Sequence, residues 1–267
     1  GGRTDYRAVE AYSIDSAFTQ DIDDALSVLE ADAHSVLVAL HIAQPAHVLV
    51  PGHPLFDEAA TRMASVYTVQ GNYPLFPRVL SEGRFSLLQG QAREALTLLV
   101  RLRDGEATLE AVQPSLVRLT ANLDYEQGAV LLRDEPLWRH LATACEALAQ
   151  ARAAKGAALA ERMDVWIDVA EPEHLSLYQT LRNNSVHRVV EELAIVYNEQ
   201  AGLYAQRHHL PAIYRVQPHQ DPQAEAERNP AFYGVRGGPH AGLACRRYAQ
   251  ATSPIRRFPI WWCSGSS

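Results

Sequence analysis

Lysine is nearly absent from this sequence of 267 residues, in which Lys155 is the only one. Cysteine is scarce too: Cys145, Cys245 and Cys263 are irregularly spaced and match neither a zinc pattern nor a disulfide framework. No apolar run is long enough to cross a bilayer, and the first residues lack the apolar core of a signal peptide. We therefore expect a protein of the reducing cytoplasm with no membrane partner.

Acidic residues are missing from the C-terminal part of the chain. The net charge is −7, but no Asp or Glu follows Glu227, and the six arginines after it leave −13 on the first 227 residues. These arginines are Arg228, Arg236, Arg246, Arg247, Arg256 and Arg257. A phosphate backbone responds to the local field, so a basic stripe on an acidic protein can still hold RNA. Charge alone leaves open whether this stripe has a function, and genome composition explains the preference for arginine equally well.

The order of the predicted elements indicates the fold class. Runs rich in Val, Ile and Leu predict strands at 9–15, 25–30, 35–42, 95–102, 107–112 and 164–169. Helical spacing of apolar residues predicts helices at 55–66, 124–160 and 184–207. Strands come first and helices later, without strict alternation. This order predicts an α+β domain with a mixed or antiparallel sheet core and packed helices.

Four carboxylates lie within ten residues, at Asp15, Asp21, Asp23 and Asp24. They repel one another unless cations or hydrogen bonds compensate, and Mg²⁺ prefers carboxylate oxygen. The spacing argues against an EF-hand, because its turn glycine and terminal glutamate are missing. A solvated acidic turn remains the alternative on spacing alone, although the apolar neighbours of the cluster place it where a core begins.

Two separated blocks give the sequence its resemblance to a known family. The first is Ile14-Asp15 followed, after five residues, by Asp21 to Ala25, and the second is Thr252 to Phe258 (TSPIRRF). Both are similar to signatures of the ribonuclease II family. Shorter matches lie between them in the family's order, so the resemblance extends from about residue 10 to 259. It implies the catalytic-domain fold of ribonuclease II.

The family implies 3′-to-5′ hydrolysis of single-stranded RNA to nucleoside 5′-monophosphates by a monomer that uses Mg²⁺, with Mn²⁺ as a substitute. By position, Asp15 and Asp24 would be the main metal ligands, and Asp21 would complete the acidic site as both a ligand and a catalytic residue. Asp23 would orient the 3′-terminal nucleotide or the attacking water. Arg256 would neutralise charge on the scissile phosphate.

The resemblance also implies RNA contacts. Tyr67 would stack on a base at the 3′ end, Arg257 would hold a neighbouring phosphate, and Glu191 or Glu192 would contact a ribose hydroxyl. The alternatives are a core tyrosine and a helix glutamate that faces solvent or pairs with an arginine. Arg215 would meet a phosphate or fix the loop that follows it. His41 and His240 have the side chain of a metal ligand, but a structural role is expected for both.

The sequence departs from the family in three places. Gln44 stands where relatives usually have Asp, and the stretch near 219–235 is shorter than in most of them. The match is cut off after about residue 259, and we see no cold-shock or S1 domain. We expect a catalytic domain over 1–263 and a linker-like tail over 264–267. Two other functions stay open: an RNA-binding or regulatory scaffold without turnover, and a metal-dependent nuclease for other nucleic acids.

Overall fold

A computed structural model of the chain describes residues 2–68, 71–157, 163–171, 174–181, 185–218 and 230–258, with 163–171 and 174–181 described by their backbone. The strands are β1 Thr4–Asp5, β2 Tyr12–Asp15, β3 Asp24–Ala31, β4 Ser35–Ala43, β5 Val66–Thr68, β6 Gly71–Tyr73, β7 Ala92–Arg103, β8 Glu106–Arg118, β9 Ala121–Asp124, β10 Met163–Glu171, β11 His174–Leu181, β12 Tyr214–Val216 and β13 Phe232–Gly234. The α-helices are α1 Pro54–Arg62, α2 Tyr125–Asp134, α3 Pro136–Ala154 and α4 Ser185–Arg207. None of these helices is both long and apolar enough to span a membrane.

The main sheet has seven strands in the order β1-β8-β7-β4-β3-β2-β9. The β1–β8 and β2–β9 pairs are parallel, and the other pairs are antiparallel. The sheet is therefore mixed, and the predicted α+β class is confirmed. Three further pairs, β5–β6, β10–β11 and β12–β13, form separate two-stranded hairpins.

The central strand β4 is buried on both faces, which explains its continuous run of Val, Leu, Ala and Ile. On one face, α2, α3 and α4 cover the sheet through a core that includes Val38, Leu141 and Val189. On the other face, a second core around Phe76 and Leu87 supports the loops between strands. Both layers meet the end of β2 and the start of β3, where the acidic residues lie.

Two predicted helices differ in extent from those observed. The helix expected over 124–160 is two helices, because Pro136 cannot continue α2 and instead takes the first position of α3. The helix expected over 55–66 ends at Arg62, where Met63 adopts a φ of 65°. The hairpin partner β11 was not predicted at all. The tail over 264–267 lies outside the described residues, as do 219–229 within the shortened stretch.

The C-terminal segment lies directly against α4. Gly202 permits this approach, because a Cβ there would lie 3.0 Å from the backbone nitrogen of Ala249. One turn away, the buried Asn198 accepts hydrogen bonds from the amides of Ala251 at 2.6 Å and Thr252 at 3.1 Å. The fold thereby brings Ile255 and Arg256 against Asp23, next to the start of β3.

Candidate active site

Asp15 and Asp24 face a common point at one end of the sheet. Asp15 is the last residue of β2 and Asp24 the first of β3. Burial, followed by the charge of Asp24, raises the pKa of Asp15 to about 8, although Arg256 lowers it. Burial likewise raises the pKa of Asp24, again against Arg256. The buried Oδ2 of Asp15 has no hydrogen-bond partner among the described residues. This pair therefore needs a cation or a proton.

Asp23 is fully buried, and both of its carboxylate oxygens are in use. The amide of Ile255 donates to Oδ1 at 2.7 Å, and Nε of Arg256 donates to Oδ2 at 2.7 Å. Burial raises the pKa of Asp23 to about 7, although these two donors lower it. The contacts differ from the predicted substrate-facing role. In this structure Asp23 positions the guanidinium of Arg256.

Arg256 is held on several sides. Its Nη2 donates to Oγ of Ser253 at 2.8 Å, and Ser253 has a φ of 65°, which turns the chain before the arginine. Its carbonyl accepts from the amide of Ser65 at 2.9 Å, two residues before Tyr67. The side chain is 33% exposed. Within the described residues Nη1 donates no hydrogen bond, so this nitrogen can donate to a bound anion.

Tyr67 and Asp21 form a second pair at the rim of the site. The Tyr67 hydroxyl donates to Oδ2 of Asp21 at 2.5 Å, and Tyr67 remains 51% exposed on β5. Partial burial and the Asp21 hydrogen bond raise the pKa of Tyr67 above its usual range. The tyrosine is thus a fixed but open aromatic surface rather than a core residue. This hydrogen bond occupies one of the two carboxylate oxygens of Asp21.

The carboxylates of the site fit a magnesium ion that is bound by two protein ligands rather than enclosed by many. In the described parts of the chain, no group of three or more His, Cys, Asp or Glu side chains is arranged as a metal cage. Mg²⁺ usually takes one or two carboxylates and keeps its waters for substrate phosphate. The partnerless Oδ2 of Asp15 beside Asp24 provides such a pair. Asp21, which binds Tyr67, would have to turn to join them.

The two candidate glutamates on α4 have different surroundings. Glu192 is fully buried and forms an ion pair with Arg152, whose Nε lies 2.9 Å from Oε2. It ties α3 to α4 and is not available to a ribose. Glu191 is 40% exposed and lies 3.9 Å from Arg188. Its contact is the surface pair that the sequence offered as the alternative.

The arginines of the C-terminal stripe do not form one open surface. Arg256 is bound to Asp23, and Arg246 lies 3.9 Å from Glu199. Arg257 pairs through its backbone with Ala64. Arg215 lies on β12, outside this stripe, and its guanidinium is placed over the ring of Tyr233.

His41 has the predicted structural role. It is fully buried, Nε2 lies 3.1 Å from Oγ of Ser27, and Nδ1 lies 2.7 Å from Oγ1 of Thr97. Burial lowers its pKa to about 3, so it stays neutral. His240 packs its ring 5.4 Å from that of Tyr248. Neither histidine belongs to a metal-binding group within the described residues.

Asn198 is the residue whose contribution the sequence reasoning missed. It lies on α4, seven residues after Glu191. Its Nδ2 donates to the hydroxyl of Tyr248 at 3.0 Å and to Oγ1 of Thr252 at 3.1 Å. A polar side chain next to the apolar stripe of α4 was the available signal. It fixes the segment that leads to Arg256.

The site thus combines paired carboxylates, a held guanidinium and an open aromatic ring, which is a combination suited to a phosphodiester. A comparison with known protein families agrees with a site for phosphodiesters. Residues 3–230 match the RNB domain, and the chain belongs to this family, the ribonuclease II family.

Similar proteins cover nearly all of the chain. A ribonuclease of Synechocystis sp. is 33% identical over 96% of this chain and 42% of its own length. Ribonuclease II of Arabidopsis thaliana, chloroplastic/mitochondrial, is 29% identical over 96% of the chain and 35% of its own length. Ribonuclease R of Thermotoga maritima is 27% identical over 97% of the chain and 44% of its own length. The chain therefore spans less than half the length of these relatives.

Solved structures share the fold at low identity. Mycoplasma genitalium RNase R, in complex with ribose-methylated single-stranded RNA, has a TM-score of 0.85 and 18% identity over 97% of this chain and 49% of its own. Yeast Ssd1, named a pseudonuclease, has a TM-score of 0.75 and 14% identity over 98% of this chain and 39% of its own. Since a pseudonuclease has the same fold, the fold alone does not carry activity.

Proposed function

We propose that the chain is the catalytic domain of a metal-dependent 3′-to-5′ exoribonuclease that hydrolyses single-stranded RNA to nucleoside 5′-monophosphates. The observation that carries the proposal is the contact between Arg256 and Asp23, which sets a guanidinium beside the Asp15–Asp24 pair. Family membership supports the same activity.

Asp15 and Asp24 would hold a divalent cation, with Mg²⁺ favoured by the oxygen donors. When bound, such an ion stabilises negative charge on the phosphate and lowers the pKa of a water. It would also offset the burial and the repulsion from Asp24 that together raise the pKa of Asp15 to about 8. Asp21 would keep Tyr67 in place, or would turn to complete the ligand set.

The side chains divide the remaining tasks. Nη1 of Arg256 would donate to a non-bridging oxygen of the scissile phosphate, where charge increases in the transition state. Asp23 keeps that guanidinium aimed, so it is a positioning residue. Tyr67 would stack on a base near the 3′ end, which tolerates any sequence because every base has a π-face. Arg257 would hold a neighbouring phosphate, and Glu191 remains a candidate for a ribose contact.

A time course on 5′-labelled single-stranded RNA and DNA tests this function. With Mg²⁺ or Mn²⁺, we expect RNA to shorten stepwise from the 3′ end with release of 5′-monophosphates, and Asp24→Asn to abolish the reaction. Asp104→Asn is the matched control, because Asp104 is an exposed turn residue with a φ of 52° that Asn tolerates. RNA binding without cleavage would favour a scaffold, and equal digestion of DNA would exclude ribose selectivity.

A further inference from the structure

The β12–β13 hairpin presents an aromatic ring that is held in place but open to solvent. Tyr233 lies directly opposite Arg215 in the antiparallel pair, so their side chains share one face. Cζ of Arg215 is 5.8 Å from the centroid of the Tyr233 ring. The Tyr233 hydroxyl donates to Oε1 of Gln250. Despite these two contacts, 55% of Tyr233 is exposed.

Among the described residues, the charged group that lies against this ring is Arg215. No Asp or Glu follows Glu227 in the sequence, and within the described residues Arg215 forms no ion pair. Arg236 is exposed two residues after β13. Arg215 and Arg257 both act on the hydroxyl of Tyr248, since both lower its pKa against the larger effect of burial. An arginine thus lies against the ring, and the segment that follows it toward Arg256 carries further arginines and no acidic residue.

The ring is also tied to the candidate active site through a short segment. Gln250 binds Tyr233, and Arg256, six residues later, binds Asp23. An extended segment of six residues spans at most about 20 Å. Asn198 fixes the part of this segment next to Gln250 by accepting from the amide of Ala251. One short single strand of RNA can therefore contact both the Tyr233 ring and the Arg256 guanidinium.

We propose that Tyr233, backed by Arg215, is a stacking platform for a base of single-stranded RNA on the 5′ side of the cleavage site, with Arg215 and Arg236 taking neighbouring phosphates. The proposal rests on the function proposed above and adds a second aromatic contact to Tyr67. A flat ring immobilised by a cation on one face and a hydrogen bond at its hydroxyl loses little entropy when a base stacks on it. The arginines match a polyanion rather than an apolar partner.

The test uses short RNAs that carry 2-aminopurine at one position at a time, titrated with the protein in EDTA so that no turnover occurs. We expect 2-aminopurine to be quenched at one upstream position by the wild-type chain. Tyr233→Ala should remove that quench and weaken RNA binding about fivefold to a hundredfold. Tyr233→Phe should keep the quench. Arg215→Gln should weaken binding and reduce its salt dependence.

Phe232→Ala is the matched control. Phe232 is 53% exposed on the same strand, but its side chain points to the opposite face. We expect its affinity to stay within about twofold of wild type. Two results would contradict the stacking role of Tyr233: equal RNA affinities of the Tyr233→Ala and wild-type chains, or equal losses of affinity in both alanine variants. Neither result would contradict the proposed exoribonuclease activity. A wild-type chain that neither binds nor cleaves RNA would overturn the proposed function itself. Retention of the quench on DNA but not RNA would reassign the platform to DNA.

Discussion

Nε of Arg256 donates to Oδ2 of Asp23 at 2.7 Å, and this contact joins the two sequence blocks that resemble the ribonuclease II family. The partners are separated by 233 residues. Asp23 also accepts from the amide of Ile255, so one buried carboxylate fixes both the backbone and the guanidinium of the arginine segment. The relation links the folding of the domain to the aim of its proposed phosphate-binding group.

Replacing Asp23 by Asn should misalign Arg256 without changing the volume of the core. We expect single-turnover cleavage of RNA to fall by about a hundredfold or more, because a donor aimed at the developing charge is lost. The unfolding free energy should fall by about 2 kcal/mol, less than for a fully buried pair because Arg256 is 33% exposed. Rapid-quench kinetics and urea unfolding measure the two effects. Wild-type turnover in this variant would show that the contact does not matter for chemistry.

Stability without metal should depend on pH through the acidic site. The pKa values of Asp15 and Asp23, about 8 and about 7, lie above those of an unfolded chain. The folded protein therefore holds protons that the unfolded chain has released. The resulting stabilisation is full below about pH 4 and is lost as the pH rises through 7 to 8.

Thermal unfolding in EDTA and in Mg²⁺ measures this effect. We expect Mg²⁺ to raise Tm more at pH 8.5 than at pH 6, because deprotonated carboxylates bind it better. Asp15→Asn should flatten the alkaline fall of Tm and remove most of the Mg²⁺ effect. The same Tm gain at both pH values, or in the variant, would show that the ion binds elsewhere.

Tyr67 should contribute to RNA binding through its ring and to site geometry through its hydroxyl. Tyr67→Ala should weaken RNA binding about tenfold or more, in line with the loss of one stacked base. Tyr67→Phe should keep most of the affinity but release Asp21, which binds the hydroxyl at 2.5 Å. Fluorescence anisotropy with labelled RNA in EDTA separates the two variants. Equal affinities of the alanine variant and the wild type would rule out the stacking role.

Asn198 should hold the segment that carries Arg256. Asn198→Ala leaves the amides of Ala251 and Thr252 without their acceptor, at a cost of about 1–3 kcal/mol for each buried group. We expect faster hydrogen exchange over 249–256, together with lower turnover and little change in Kd. Asn198→Asp keeps the acceptor and should restore part of the exchange protection. Unchanged exchange in the alanine variant would count against this role.

Local chemistry made some features predictable from the sequence. The apolar run of β4 and the amphipathic spacing of α4 determine their type, because burial rewards those patterns wherever the elements pack. The extent of α2 could have been predicted better, since Pro136 forbids one continuous helix. The length of β8 could not, because its pairing with β7 depends on residues distant in sequence.

The sequence by itself determined that a cluster of aspartates and a late pair of arginines would be present, since those residue types and their spacing are properties of the chain. Only the tertiary structure decided what each one touches. Folding pairs Asp23 with Arg256, Asp21 with Tyr67 and the buried Glu192 with Arg152. It also places Asp15 and Asp24 close enough to repel each other. Neighbouring carboxylates are equivalent in sequence, and they acquire different roles only when folding sets their burial and brings distant donors to some of them.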